Sequence, residues 1–322
     1  PDAEAALVDR IEAIAVGWGL PSRRLDVPGR APNLLVGSGP RPGRPWLVFE
    51  SHLDTVSTAG MTIDPLGGTV ADGRLWGRGA ADTKGSGAAM LVALRGHLGA
   101  GGGPADIGVL LTVDEEVSRA GIDTFLADQL PPLGGRPAAA SVGEPSMLRP
   151  IVAHKGVVRL TIRTTGRAAH SSDPSRGRSA IADMVTVIGA IERDHIARLR
   201  ATHPLTGPAV GSINTIRGGT GVNVIPERCE IELDRRTVPG EDGAAVLAEL
   251  QALLVRLRAA DPGLDVAIVE ALIHPVFDPA VGATWAATVG EVLRAQGRDA
   301  TPAGVGYGTD ASAFDAAGIP AV

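Results

Sequence analysis

Gly77-Arg78-Gly79-Ala80-Ala81-Asp82-Thr83-Lys84-Gly85 sets a carboxylate in a loop with glycines on both sides. The short apolar piece Arg74-Leu75-Trp76 precedes it, and residues 87–98 follow with the Ala, Met, Leu and Val spacing of a buried helix. Asp82 therefore sits where a loop becomes a helix. Glycines allow positive φ and the close approach of other groups, which suits a crowded, rigid turn around a metal ion. Read by itself, Asp82 is better taken as a helix cap, because Asp, Ser and Thr are favoured there for local reasons.

Working outward, residues 3–16 have amphipathic helical spacing, and 33–36 and 45–50 read as strands. The second strand runs into Ser51-His52-Leu53-Asp54-Thr55-Val56. Period-2 alternation puts His52 and Asp54 on one side of an extended chain, where a carboxylate can fix the tautomer of a metal-bound imidazole. A lone His-x-Asp is also a common hydrogen-bonded pair. Residues 106–113 barely alternate, as in a strand buried on both faces, and they end in Asp114-Glu115-Glu116. Three adjacent acids repel one another unless a cation compensates; a solvated acidic loop is the usual alternative. A helix over 121–129 and a strand over 138–142 follow, the latter ending in Gly143-Glu144-Pro145-Ser146.

His52, Asp82, Glu115, Glu116 and Glu144 thus all fall just past apolar strands or at strand-to-helix turns. In α/β sheets ligands gather outside the carboxyl ends of the strands, so four acidic sites and one histidine are expected on one rim. From residue 151 the texture changes. A long strand over 152–166 leads into a unit with strand, helix, strand, strand, helix, strand order. Its helices are 179–200 and 243–260, and its strands include 210–216, 228–235 and 264–272. Two helices on one face of a small antiparallel sheet is the simplest packing for it. The alternating pattern resumes with a helix over 281–295, so this α+β unit is inserted into the first. The expected division is 1–155 with 272–322, and 156–271.

Composition bounds the rest. A chain of 322 residues suits two cores better than one, and 44% hydrophobic residues support well-buried interiors. Thirty basic against 36 acidic residues give a net charge of −6 with no basic stripe, which argues against nucleic acid. Cys229 is the single cysteine, so no internal disulfide can form and the cytoplasm is the default. No apolar run approaches the roughly 20 residues that cross a bilayer, which argues against a membrane partner. The sequence starts at Pro1 and stops at Ala321-Val322 inside an apolar run, and it reads as a fragment at both ends.

Taken together and in this order, Ser51–Val56, Gly77–Gly85, Asp114-Glu115-Glu116, Gly143-Glu144-Pro145 and Gly166-Arg167-Ala168-Ala169-His170-Ser171 resemble the two-zinc aminoacylase and carboxypeptidase family. That family includes acetylornithine deacetylase, succinyl-diaminopimelate desuccinylase and bacterial glutamate carboxypeptidase. The resemblance spans nearly the whole chain. It implies an α/β, zinc-exopeptidase-like catalytic domain with a mixed central sheet, and an inserted α+β lid and dimerisation domain. It also implies two divalent metals, zinc with cobalt or manganese as alternatives. His52 and Glu144 would bind one, Glu116 the other, and Asp82 would bridge them. Asp54 would orient His52, and Glu115 would be the general base. His170 resembles a lid histidine that in dimeric members reaches the partner's site. Asn223, Arg236 and Thr309 look like substrate-side contacts. Read without the resemblance, His170 is a turn histidine and Arg236 a surface strand arginine.

One departure stands out: the family's final histidine ligand has no counterpart, since no histidine follows His274 and His274 falls too early. Truncation explains this more simply than loss. The activity implied is metal-dependent hydrolysis of an N-acyl amino acid or small peptide-like amide by a homodimer. An aminopeptidase or dipeptidase on the same fold, or a non-catalytic binding protein, are the alternatives.

Overall fold

The computed structural model describes residues 2–322; Pro1 lies outside the described residues. The chain divides into two compact units, the first made of residues 1–152, 278–303 and 309–322 and the second of 153–277 and 304–308.

The first unit opens with helix α1 (Asp2–Gly17). Strands β1 (Ser22–Leu25), β2 (Asn33–Gly37) and β3 (Trp46–His52) follow, then a hairpin of β4 (Thr69–Ala71) and β5 (Arg74–Trp76), helix α2 (Lys84–Gly99) and β6 (Asp106–Thr112). Helix α3 (Ala120–Thr124) and β7 (Ala139–Val142) complete this run. The sheet order is β1-β2-β6-β3-β7. Its β1/β2 and β2/β6 pairs are antiparallel, whereas β6/β3 and β3/β7 are parallel, so the sheet is mixed. Along β6, every residue except Ile107 is buried, as its unbroken apolar run predicts. At the far edge Ala321 pairs in parallel with Ala140, and Val142 N–H donates to the Val322 carbonyl at 2.8 Å. Helices α1 and α2 cover one face through Val8, Ala15, Leu91 and Leu94.

Between the parts of the first unit runs β8 (Ile151–His154), beside which lies β17 (Ala303–Val305). The second unit contributes β9 (Gly156–Thr165), β10 (Ala169–His170), helix α4 (Ala180–Asp194), β11 (Thr202–His203), β12 (Gly207–Pro208), β13 (Val210–Gly218), β14 (Val224–Ile225), β15 (Arg228–Thr237), helix α5 (Gly243–Ala260) and β16 (Asp265–His274). Its four-stranded sheet, β13-β15-β9-β16, is antiparallel throughout. Alternation sets Leu160, Ile162, Ile231 and Leu233 against Met184 and Ile191 of α4 and Leu250 and Leu254 of α5. The opposite face carries the cross-strand pairs Arg159–Asp234 (2.9 Å) and Arg163–Glu230 (2.6 Å). Helices α6 (Pro279–Ala295) and α7 (Ala311–Ala316) return to the first unit.

Three elements differ from the sequence reading. The strand expected over 152–166 breaks at Lys155, because His154 pairs with Phe277 whereas Gly156 takes Thr237 as its partner. The helix expected over 121–129 changes from α to π winding at Phe125. The helix expected over 179–200 ends at Asp194, and a 3-10 turn takes over at Ile196.

Candidate metal centre

His52 is the last residue of β3 and is 2% exposed. Its Nε2 lies 3.0 Å from Asp82 Oδ1 and 3.8 Å from Glu144 Oε1. Ligand atoms of His52, Asp82 and Glu144 all fall within 4.8 Å of one another, the one such group among the described residues. The carboxyl ends of β3 and β7 and the loop entering α2 supply the three. Glu116 lies outside the group, with its Oε1 accepting the Val56 N–H at 3.2 Å.

Asp82 does not cap α2. The N-cap of α2 is Thr83, and no side chain caps the helix. Gly79 adopts φ +79°, and a Cβ on Gly85 would stand 2.3 Å from the Ala80 carbonyl oxygen, so the loop is tight enough to present Asp82 to His52.

Asp54 does two things at once. Its Oδ1 lies 3.4 Å from His52 Nδ1, as period-2 spacing led one to expect. The same carboxylate accepts the Glu115 N–H at Oδ1 (3.0 Å) and the Glu116 N–H at Oδ2 (2.9 Å), so it also fixes the loop after β6. Burial opposes its ionisation, yet His52 and the two amides hold its pKa below the usual range.

Burial and crowding of like charges shift the groups at this centre. Burial pushes Glu144 up to about 9, with Glu115, Asp82 and Glu50 adding to the shift. Burial, then Asp310, raises Glu115 to about 8. Burial lowers His52, but Asp54 and Asp82 outweigh it and carry the ring to about 12. An imidazole and converging carboxylates form a nitrogen and oxygen donor set that suits a borderline divalent ion such as zinc. The residues present therefore fit such an ion.

Several buried participants escaped the sequence reading. Glu50, 1% exposed, accepts the Thr112 hydroxyl at 2.6 Å. Period 2 puts it on the His52 face of β3, a signal present in the sequence. Asp310, also 1% exposed, lies 3.7 Å from Arg119 Nε. Arg119 reaches Ser312 Oγ at 3.1 Å, joining the loop after β6 to α7 across 193 positions, which no local pattern announces. Thr309, a substrate-side candidate from the sequence, is buried, and its hydroxyl accepts the Ala311 N–H at the start of α7 (3.2 Å).

In the second unit, His170 is exposed and pairs with Val224 across β10 and β14, while Ser171 N–H donates to the Asn223 carbonyl at 3.0 Å. These two candidates are neighbours. The His170 Nδ1 accepts the Ser172 N–H (3.2 Å), which leaves the proton of the neutral ring on Nε2. Arg236 stands at the other end of β15, half-buried and paired with Asp234 at 2.6 Å. It lies opposite Val157, whereas Arg228, at the His170 end, lies opposite Thr165. Those positions are eight steps apart along the strand, about 26 Å at 3.3 Å each.

The chain is similar to known proteins in sequence and in fold. An acetylornithine deacetylase from Klebsiella pneumoniae (strain 342) is 37% identical over 219 residues, 65% of this chain. The match takes in 54% of that protein, so the chain spans about half the length of this curated relative. Among solved structures, a tripeptidase from Staphylococcus aureus subsp. aureus Mu50 superposes with a TM-score of 0.73 at 21% identity, covering 97% of this chain and 82% of that one. A dinuclear metal-binding peptidase of the M20 family from Bacillus subtilis gives 0.63 at 18% identity, covering 99% and 81%. Both share the fold. A family model, peptidase family M20/M25/M40, matches residues 48–322, and the chain belongs to that family.

Proposed function

We propose that the chain is a metal-dependent amidohydrolase that cleaves the amide of an N-acyl amino acid or a small peptide-like substrate. The convergence of His52, Asp82 and Glu144, with the half-buried Glu115 raised by burial and by Asp310, carries this reading. The acetylornithine deacetylase relative favours an acylated amino acid over a free peptide.

His52 and Glu144 would hold one ion, Glu116 the other, and Asp82 would lie between them. Two divalent ions, zinc first and cobalt or manganese as alternatives, supply Lewis acidity to the amide carbonyl and to a water. Glu115 takes the proton of the attacking water on its carboxylate and passes it to the leaving nitrogen. A carboxylate stripped of bulk water is a stronger base than one in solution. Asp54 keeps Glu115 in place through its backbone amide and holds the ring of His52 by Nδ1. His170, with its proton on Nε2, is suited to donate to the developing oxyanion. The products are a carboxylate and an amine.

Asn223, Arg236 and Thr309 are proposed on the substrate side, with Thr309 acting through the turn it caps. A dipeptide-sized substrate is far shorter than the roughly 26 Å between Arg236 and the His170 end of the sheet, so one copy of the second unit cannot bring both to it. This supports a homodimer joined through the second unit, whose edge strand β13 leaves Val210 and Ile216 exposed. The lone Cys229 supports a reducing, cytoplasmic setting.

The test is Glu115→Gln. Zinc content should stay at the wild-type level while kcat falls by about 10²–10⁴. Full activity in that variant sinks the general-base role. Activity on unblocked but not N-acetylated substrates would favour an aminopeptidase instead.

A further inference from the structure

Two buried hydroxyls lie immediately beside residues of the candidate metal group, and neither has a part in the chemistry proposed above. Ser51 precedes His52 on β3 and is 1% exposed, while Thr83 follows Asp82 and is fully buried. Thr83 occupies the N-cap of α2, where a threonine hydroxyl ordinarily accepts an N–H of its own helix. It does not do so here. Its Oγ1 donates to the His52 carbonyl at 3.1 Å. Ser51 Oγ in turn donates to the Thr83 carbonyl at 3.0 Å and lies 2.8 Å from Thr83 Oγ1. Two hydrogen bonds thus join the end of β3 to the Asp82 loop, across 31 and 32 positions of sequence, with the two hydroxyl oxygens in close approach.

We propose that Ser51 and Thr83 form a hydroxyl latch that sets the distance between His52 and Asp82, so that they are positioning residues for the metal. The inference rests on the metal reading of the site. Its physical basis is the cost of leaving the latch unmade. With Thr83 0% exposed, no water replaces the lost partner of the His52 carbonyl, and the loop must shift to relieve it. A shift of that loop moves Asp82 relative to His52, because the latch donates to the carbonyl of His52 itself. Contacts of this kind behind metal ligands commonly change metal affinity by about 10–100-fold.

Thr83→Val keeps the shape and removes the hydroxyl; Thr83→Ser restores it without the methyl group. Zinc affinity, measured by competition with a chromophoric chelator, is expected to fall at least tenfold in T83V and to return to within about threefold of wild type in T83S. The thermal midpoint of each metal-free variant shows that the chain has folded. Ser51→Ala is the second variant, and its zinc affinity is expected to fall even if T83V proves unstable. A folded T83V or S51A that binds zinc as tightly as wild type overturns the latch. If the wild-type chain itself takes up no zinc, cobalt or manganese, the metal reading fails, and the latch with it.

Discussion

Asp54 lets the organisation of the centre be tested at a single atom. In Asp54→Asn, the carboxamide oxygen replaces one acceptor and the NH2 group meets the other backbone amide donor to donor. A buried N–H left unsatisfied costs about 1–3 kcal/mol, and the remaining bond drops from the charge-assisted range to about 1 kcal/mol. The sum, about 2–4 kcal/mol, falls on the loop that carries Glu115 and Glu116, because both of their amides are bound by this carboxylate. If that energy is lost from positioning of Glu115, the proposed general base, in the transition state, kcat/KM should fall about 30- to 1000-fold. The assay is kcat/KM on an N-acyl amino acid at saturating zinc, with zinc affinity and the thermal midpoint measured in parallel. A carboxylate that merely orients His52 would show its effect mainly in zinc affinity. A D54N chain within threefold of wild type in kcat/KM at full zinc occupancy would refute the clamp.

Two further expectations follow. Asp106 is 1% exposed, and hydrogen bonds from Arg41 hold its pKa down at about 2, so its stabilising contribution is present above its ordinary pKa of 3.8 and is lost as pH falls towards 2. Asp106→Asn should lower stability at pH 7 by about 1–2 kcal/mol, reduced from the full shift because Arg41 faces solvent, and should flatten the urea-midpoint decline between pH 4 and pH 2; a parallel decline in both proteins counts against the pairing. Mixing His170→Ala chains with Glu115→Gln chains should restore part of the wild-type activity if His170 serves the partner's centre, and subunit exchange that leaves the mixture inactive would place His170 in its own.

Signals that are local in sequence were legible. Period 2 in β3, the unbroken apolar run of β6 and the helical spacing of α5 gave the layers, and the acids at strand ends gave the rim. The burial of Asp310 was not legible, since its neighbours Thr112 and Arg119 lie nearly 200 positions earlier and nothing around Gly308-Thr309-Asp310 distinguishes a buried carboxylate from a loop acid. The break at Lys155 was hidden for a related reason. Apolar, β-branched residues flank His154-Lys155-Gly156 on both sides, so the stretch reads as one strand, and the change of pairing partner from Phe277 to Thr237 ends one strand and starts the next.

Asp82 shows why a local pattern could leave the choice open. A cap and a bridging ligand both require a short carboxylate immediately before a helix, so composition and spacing are the same for either. What separates them is where the carboxylate is aimed, and that depends on His52, thirty positions upstream. The neighbouring hydroxyl makes the same point more sharply. Threonine at an N-cap is the local optimum for starting α2, yet Thr83 gives its proton to the His52 carbonyl and leaves the helix without a side-chain cap. Forgoing a cap costs about 1 kcal/mol of helix stability. Where a residue takes up a contact across the fold instead of the better local one, the long-range contact fixes something the helix alone does not need, and here that is the separation of two groups aimed at the same point.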